Sequence, residues 1–206
     1  MTKTFAGLKL SCKKLVLVLS NTKLLNRMNP YALLFLIVIG AFFLLVIIWI
    51  RRMRNLSPTA LTQLDAPCGT VLVRYSSPRK RGREIFGSLV PFGEVWRTGA
   101  NESTTIESSC PMKVGGNTLD PGRYALFTIP GEHKWTVIFN RKIAWWGAGL
   151  NTKPPHNPAH DVARIEVPVE NLSETVEELH IELHNEPEPQ LTLTWDKTRI
   201  TVPINR

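Results

Sequence analysis

The longest apolar run of the chain, residues 31–50, reads YALLFLIVIGAFFLLVIIWI and contains no charged side chain. At about 1.5 Å per residue, a helix of this length spans about 30 Å, the thickness of the hydrocarbon core of a bilayer. Tyr31 and Trp49 stand near its ends, where aromatic rings favour the headgroup level, and Arg51 follows directly. A buried helix of a soluble protein would show a polar stripe. The pattern therefore predicts one transmembrane helix.

Polar residues follow this run, and we interpret residues 51–67 as a juxtamembrane linker. Beyond them the pattern changes to period two, with β-branched and aromatic residues in short stretches bounded by Gly, Pro or Asn, which predicts strands. A short helix over residues 171–179, capped by Ser173, is the alternative to one of them. The predicted strands are residues 70–76, 103–108, 123–129, 134–140, 162–169, 175–184, 190–195 and 198–204.

The connections between these strands are short. Asp120-Pro121-Gly122 places Pro and Gly where a tight turn needs them, and Asp196-Lys197 leaves only a two-residue gap. Strands joined this closely are antiparallel. The sequence therefore predicts an all-β domain, an antiparallel β-sandwich or jelly roll over residues 68–206. A basic N-terminal tail, residues 1–30, and the transmembrane helix precede it.

The net charge of +8 belongs to one part of the chain. Residues 1–54 hold nine of the 25 Lys and Arg and no acidic residue, which leaves 16 basic against 17 acidic side chains in residues 55–206. A near-neutral domain lacks the broad positive field that releases phosphate counterions, so we expect no nucleic-acid partner. The expected partner of the basic, apolar N-terminal part is the lipid bilayer.

The apolar run exceeds the 7–15 residues typical of a signal peptide, and no small-residue cleavage site follows it, which indicates an uncleaved anchor in the cell membrane. Basic residues flank it on both sides, four before and three after, so charge does not decide its orientation. We expect the globular domain on the extracytoplasmic side. The cytoplasmic side stays open, above all if translation begins at Met28.

The most informative stretch is residues 85–106, IFGSLVPFGEVWRTGANESTTI, in which three glycines punctuate aromatic and charged side chains. Together with GRYALFTIPG, WTVIFN, WWGAG and the closing LTLTWDKTRITVPI, it resembles the bacterial family called domain of unknown function 2911. The resemblance covers residues 70–204 and implies an exported, β-rich domain, with no established activity or catalytic residue to transfer. The apolar run followed by RRMR stands where this family usually has a cleavable export signal.

This loop supplies most of the predicted ligand-binding site. A guanidinium and an indole together offer stacking and directed hydrogen bonds to a small molecule or a glycan. The alternative is structural: Arg97 pairs with Glu94 or Glu102, and Trp96 fills the core and anchors the loop. The predicted site residues are Trp96, Arg97, Asn101, Glu102 and Trp146.

Histidines suggest a metal site only weakly. His180 and His184 lie four residues apart in a predicted strand, about 13 Å from each other, which is too far to share an ion. His156, His160 and Asp161 lie in a proline-rich loop and are the remaining metal candidates. We therefore predict no metal and no cofactor.

Strong enzyme signatures such as GxSxG, HExxH and the phosphate-binding loop are absent from the sequence. We therefore favour a non-catalytic envelope or ligand-binding module. The competing hypothesis is a hydrolase or metal-assisted enzyme that uses Glu102 with His156, His160 and Asp161.

Two further features leave alternatives open. Cys68 and Cys110 can form a disulfide if their strands are neighbours, or they can stay as free thiols in the cytoplasm. The basic cluster RKRGR, residues 79–83, can contact anionic headgroups near the anchor or can simply be a solvated loop.

Overall fold

The computed structural model describes residues 29–66, 68–144, 146 and 153–205. Helix α1 covers Pro30–Leu56, and none of its residues is buried. It is the one helix in the described part of the chain that is long and apolar enough to cross a membrane or to act as a signal sequence. It continues for six residues past Ile50, because Arg, Met and Leu favour helix, and it ends just before Pro58, which disfavours helix in the residue before it. A compact unit begins at Arg52.

The rest of the described chain is an antiparallel β structure with one short 3-10 helix, Pro158–His160. Its nine strands form one sheet in the order β1-β2-β3-β6-β7-β8-β9-β4-β5. The sheet is not closed, which is consistent with a β-sandwich, so the predicted fold class is confirmed. The strands are β1 Thr59–Ala66, β2 Gly69–Ser76, β3 Thr105–Ser108, β4 Met112–Val114, β5 Asn117–Leu119, β6 Gly122–Ile129, β7 Lys134–Asn140, β8 Asp161–His184 and β9 Gln190–Asn205.

Strand β1 lies in the segment that we interpreted as a linker. It pairs with β2 along its whole length, from Thr59 opposite Ser76 to Ala66 opposite Gly69. Ala60 and Leu64 pack against the core, whereas Leu61 faces outward. Four polar residues in TALTQLDA hid this alternation from the sequence pattern. The strand structure thus begins at Thr59 rather than after residue 67.

The prediction of a hairpin at Asp196-Lys197 is wrong, because β9 runs through these residues. A tight two-residue hairpin turn of the favoured type needs positive φ at both central residues, and only Asp196 has it, at 55°. The chain does not reverse there, so that β9 is one strand, and Asp196-Lys197 lies opposite a bulge of β8. The two strands predicted over residues 162–184 are likewise one strand, β8. Four residues of β8 lie between the pairs Asn171–Thr198 and Val176–Asp196, against one residue of β9.

The hairpin of β4 and β5 escaped the sequence analysis. Its turn is Gly115-Gly116, with φ of 54° and 82°, and a Cβ on Gly115 would come within 2.6 Å of the Ile165 side chain. Glycine is therefore required at Gly115 by both conformation and space.

One main hydrophobic core joins all of these strands except the edge strand β1, which packs against it from the side. Cys68, in the turn between β1 and β2, forms a disulfide with Cys110, which follows β3, and their Cα atoms are 5.9 Å apart. Of the two alternatives for these cysteines, the structure has the disulfide. The largest fully buried side chains of the core include Trp135, Trp195, Phe139, Ile85, Ile106, Met112, Leu179 and Ile181.

Candidate functional site

The candidate site is built on the long loop that connects β2 to β3, residues 77–104. Two backbone hydrogen bonds fix this loop to β6: Trp96 N donates to Thr128 O at 2.7 Å, and Thr128 N donates to Trp96 O at 2.9 Å. The Gly93 amide donates to Pro130 O at 2.8 Å. The loop is held on the sheet in the manner of an additional short strand, which gives the side chains after Trp96 defined positions.

Trp96 belongs to a cluster of four aromatic side chains. Its ring stacks on Trp195, with centroids 5.9 Å apart and planes at 17°, and it meets Trp135 edge to face at 6.2 Å. Phe86 contacts all three tryptophans. Such contacts stabilise a core beyond simple area burial. Trp96 is therefore a structural anchor, as the alternative interpretation held, and its partly exposed side also faces a cleft.

This cleft, which we call the Trp96 cleft, has a volume of about 470 Å³. Trp96 and Trp195 contribute its aromatic part, and the neighbouring apolar wall comes from the loop and from Pro154. Glu94 is the one carboxylate among the described residues that line it. The basic lining residues are Arg83, Arg97 and Lys153, and the apolar ones of the loop are Leu89, Val90, Pro91 and Val95.

Arg97 has an unusual environment. It is partly buried, and among the residues that the structure describes its side chain makes one hydrogen bond, from Nε to the Gly99 carbonyl at 3.4 Å. No carboxylate in the described part of the chain forms an ion pair with it. Burial alone lowers the pKa of Arg97 from its usual value. A partly desolvated cation without a counter-charge favours the approach of an anion.

The backbone after Arg97 explains why Glu102 does not pair with it. Thr98, Gly99 and Asn101 all have positive φ, and the chain bends throughout residues 98–102. A Cβ on Gly99 would lie 3.0 Å from a backbone oxygen, that of Ser76, so glycine is needed there. Glu102 emerges on another side and accepts from Arg54 at 2.7 Å.

Glu102 thus lines a second cleft, of about 560 Å³, together with Arg54, Arg74 and Arg123. Nothing in the sequence pointed to its partner, because Arg54 precedes it by 48 residues and lies in the predicted linker. The structure places this member of the predicted site apart from the Trp96 cleft.

Asn101 and Trp146 complete the predicted site. Asn101 is buried, and its amide nitrogen donates to the Ser57 carbonyl at 3.1 Å, which ties the loop to the residues just before β1. Trp146 is partly buried and is not among the described residues that line the Trp96 cleft. Of the five predicted residues, only Trp96 and Arg97 line this cleft.

The candidate metal ligands form a pair rather than a set of three. His156 Nε2 lies 2.8 Å from Asp161 Oδ1, and both side chains are buried. The Asn140 amide donates to the same carboxylate at 2.7 Å, and His160 is exposed. No group of three or more His, Cys, Asp or Glu side chains is arranged to hold a metal ion in the part of the chain that the structure describes. The His156–Asp161 pair ties the loop before β8 to β7 through Asn140.

The other histidines follow the strand pattern. Residues 179–184 of β8 alternate between buried Leu or Ile and more exposed polar side chains. His184 Nε2 lies 3.0 Å from Thr192 Oγ1 on the neighbouring strand. The predicted polar face of this strand, carried by His180, Glu182 and His184, is confirmed.

These features define a class: a β-rich domain preceded by one apolar helix, with a partly buried arginine that has no carboxylate partner among the described residues and lies beside an aromatic cleft. The chain belongs to the family described as "Protein of unknown function (DUF2911)", whose match covers residues 57–204. The family resemblance inferred from the VWRTGANE block is therefore confirmed. No curated protein and no solved structure matches the chain.

Proposed function

We propose that this chain is a single-pass membrane protein whose β domain is a non-catalytic module that binds an anionic small molecule in the Trp96 cleft. The observation that carries the proposal is Arg97, a partly buried guanidinium without a carboxylate partner in the described residues. Withdrawing a charge from water is costly unless an opposite charge compensates, and an external anion supplies one. A planar guanidinium suits carboxylate or phosphate groups in particular.

The composition of the cleft narrows the class of ligand. Trp96 and Trp195 offer aromatic surface, and Leu89 and Pro91 offer apolar contacts beside the cationic end. Glu94 adds one negative charge to the lining, which disfavours ligands of high negative charge. The ligand that fits best carries one anionic group on an apolar body or a sugar ring.

The enzyme hypothesis has less support. It requires Glu102 to act with His156, His160 and Asp161, but Glu102 is engaged by Arg54, and Asp161 by Asn140 and His156. A general acid or base needs hydrogen-bond reach to a shared substrate. Binding without chemistry is therefore the function that the geometry favours.

The disulfide supports an extracytoplasmic domain. Disulfides form and persist in oxidising compartments, and reductants keep cytoplasmic cysteines as thiols. In this proposal α1 is an uncleaved anchor, and the Cys68–Cys110 bond forms on the outer side of the cell membrane.

The proposal predicts that Arg97→Ala abolishes ligand binding without unfolding the domain. Removal of one charged hydrogen bond costs about 1.5–3 kcal/mol, so affinity falls at least about tenfold. The measurement is a thermal-shift screen of the detergent-solubilised full chain with small carboxylates, phosphate esters and acidic or neutral glycans. An anion that stabilises the wild type is then titrated against the variant.

Arg74→Ala is the matched control, because it removes the same charge from the second cleft and leaves the Trp96 cleft intact. It should retain the full shift. A well-folded Arg97→Ala protein that still responds to the anion, or a wild type stabilised only by neutral glycans, would show that the cleft is not the proposed anion site.

A further inference from the structure

Four arginines line a small depression next to the C-terminal end of α1. We call it the arginine basin; its volume is about 190 Å³, enough for a phosphate group with its ester substituent. All of its residues belong to the compact unit that begins at Arg52. The remaining described lining is apolar or uncharged and contains no carboxylate. The basin is lined by Arg79, Arg81, Arg83 and Arg97, with Met53 and Leu56 as its apolar part.

Backbone carbonyls, not carboxylates, hold two of these arginines. Arg83 donates from Nε to Lys80 O at 3.0 Å and from a terminal nitrogen to Arg79 O at 2.7 Å. Arg81 donates to Leu56 O at 2.9 Å. Carbonyls orient a guanidinium but do not neutralise it, so both positive charges remain available.

The other two arginines of the basin, Arg79 and Arg97, differ in whether a carboxylate neutralises them. Arg79 forms an ion pair with Glu178 at 2.6 Å, which neutralises it. Arg97 has no carboxylate partner in the described residues. Arg81 and Arg83 therefore bring two uncompensated positive charges to the basin, and Arg97, which also lines the Trp96 cleft, adds a third when that cleft is empty. Such a concentration of charge attracts a phosphate group.

The loop that carries the basin is fixed in place. Arg81 N donates to the Glu177 carboxylate at 2.8 Å, and Lys80 N donates to Glu177 O at 2.7 Å. Lys80 also forms an ion pair with Asp196 of β9, opposite the bulge of β8. These contacts to β8 and β9 preorganise the arginines, which reduces the entropy lost on binding. A freely solvated loop would not have them.

The position of the basin in the chain indicates the source of the phosphate. Arg81 binds the carbonyl of Leu56, and only six residues separate Leu56 from Ile50, the last residue of the apolar run. Six residues span at most about 20 Å. If α1 is the anchor, this short connection keeps the basin within reach of the headgroup layer, so the phosphate of a lipid is always available to it.

We propose that the arginine basin binds the phosphate of an anionic phospholipid in the bilayer that α1 spans. The inference rests on the anchor in the proposed function, and not on the ligand of the Trp96 cleft. Arg81 and Arg83 contact the headgroup phosphate, and Met53 and Leu56 contact the glycerol and the upper acyl carbons. The bound lipid fixes the loop against the bilayer surface.

The test uses the full chain in nanodiscs of phosphatidylcholine alone or of phosphatidylcholine mixed with phosphatidylglycerol. Native mass spectrometry counts the lipids that stay bound after release from the disc. We expect preferential retention of phosphatidylglycerol by the wild type. One basic residue at a membrane surface contributes about fivefold in affinity, so Arg81→Gln should lower this retention about fivefold.

Three variants make the result specific. Arg81→Lys keeps the charge and should restore most of the retention, and Arg83→Gln should lower it independently if Arg81→Gln is unstable. Arg74→Gln removes an exposed arginine outside the basin and should bind as the wild type does. A parallel sample in phosphatidylcholine with added inorganic phosphate measures binding of free phosphate alone.

Equal retention of the two lipids by the wild type would overturn the proposal, as would unchanged retention in folded Arg81→Gln and Arg83→Gln proteins. Phosphate binding that depends on Arg81, without a preference for phosphatidylglycerol, would also overturn it. The thermal shift that depends on Arg97 should persist in Arg81→Gln. If Arg81→Gln loses lipid retention but keeps the thermal shift, the basin and the Trp96 cleft act independently. Each proposal can then fail without the other.

Discussion

Replacement of Trp195 by alanine is expected to lower the free energy of unfolding of the β domain by about 3–5 kcal/mol. Trp195 is 1% exposed, stacks on Trp96 and meets Phe86 edge to face at 6.0 Å. Its indole nitrogen also donates to Glu177 O at 3.3 Å. Alanine removes the packing, leaves a cavity and leaves that carbonyl without its donor. The change also removes the support beneath Trp96, so the cleft should lose its shape.

Chemical unfolding of the detergent-solubilised chain, followed by far-ultraviolet circular dichroism, measures this loss without relying on tryptophan fluorescence. Leu61→Ala is a suitable control, since Leu61 is 53% exposed on the outer face of β1 and should cost less than about 1 kcal/mol. If Trp195→Ala were as stable as this control, the aromatic cluster could not be the anchor of the loop.

Reduction of the disulfide between Cys68 and Cys110 is expected to cost about 3–4 kcal/mol of stability. The bond closes a loop with a sequence separation of 42, and such a cross-link restricts the unfolded chain. It joins the turn after β1 to the segment after β3, so the reduced protein should open first at this edge of the sheet. Unfolding of the wild type with and without reductant gives the difference.

A thiol count provides the direct check. The chain has three cysteines, so the denatured, unreduced protein should expose one reactive thiol, that of Cys12, and three after reduction. In the Cys68→Ala/Cys110→Ala protein, reductant should leave the stability unchanged. Three thiols without reductant would refute the disulfide and would remove the main support for an extracytoplasmic domain.

Much of the fold was accessible from local pattern alone. Strands β2, β3, β6 and β7 coincide with predicted stretches to within about two residues, because each is a short run rich in β-branched and aromatic residues between clear breakers. β1 was missed because its sequence holds four polar residues and only two leucines, of which Leu64 packs inward and Leu61 faces outward. Only its pairing with β2 makes it a strand. A strand that forms because of its pairing with a neighbour has only a weak pattern in its own sequence.

The continuity of β9 shows a second limit of prediction from local sequence. Asp196-Lys197 has the composition of a turn, yet pairing with β8 on both sides prevents the chain from reversing there. The ion pair between Asp196 and Lys80, 116 residues apart, fixes the position of Asp196. Tertiary contacts of this range override local propensity, and no spacing rule could have revealed them.

The candidate site was partly predictable. The VWRTGANE block identified Trp96 and Arg97, because an indole beside a guanidinium in a glycine-punctuated loop is unusual. The fate of Glu102 was not predictable, since it depends on left-handed residues at Thr98 and Asn101. Neither is glycine, and sequence alone rarely predicts that conformation for other residues. The sequence also identified the basic cluster RKRGR. It could not predict the hydrogen bond from Arg81 of this cluster to the Leu56 carbonyl.

The position of β9 in the sheet constrains how the protein is made. This last strand in sequence lies between β8 and β4, and it pairs Ile204 with Val114. The nine-stranded sheet therefore cannot be completed until β9 has left the ribosome, however early the other strands form. If the domain is translocated during synthesis, it crosses the membrane unfolded, and Cys68 can meet Cys110 before β9 arrives. The cross-link then restrains an incomplete sheet while the strand that joins β8 to β4 is still missing.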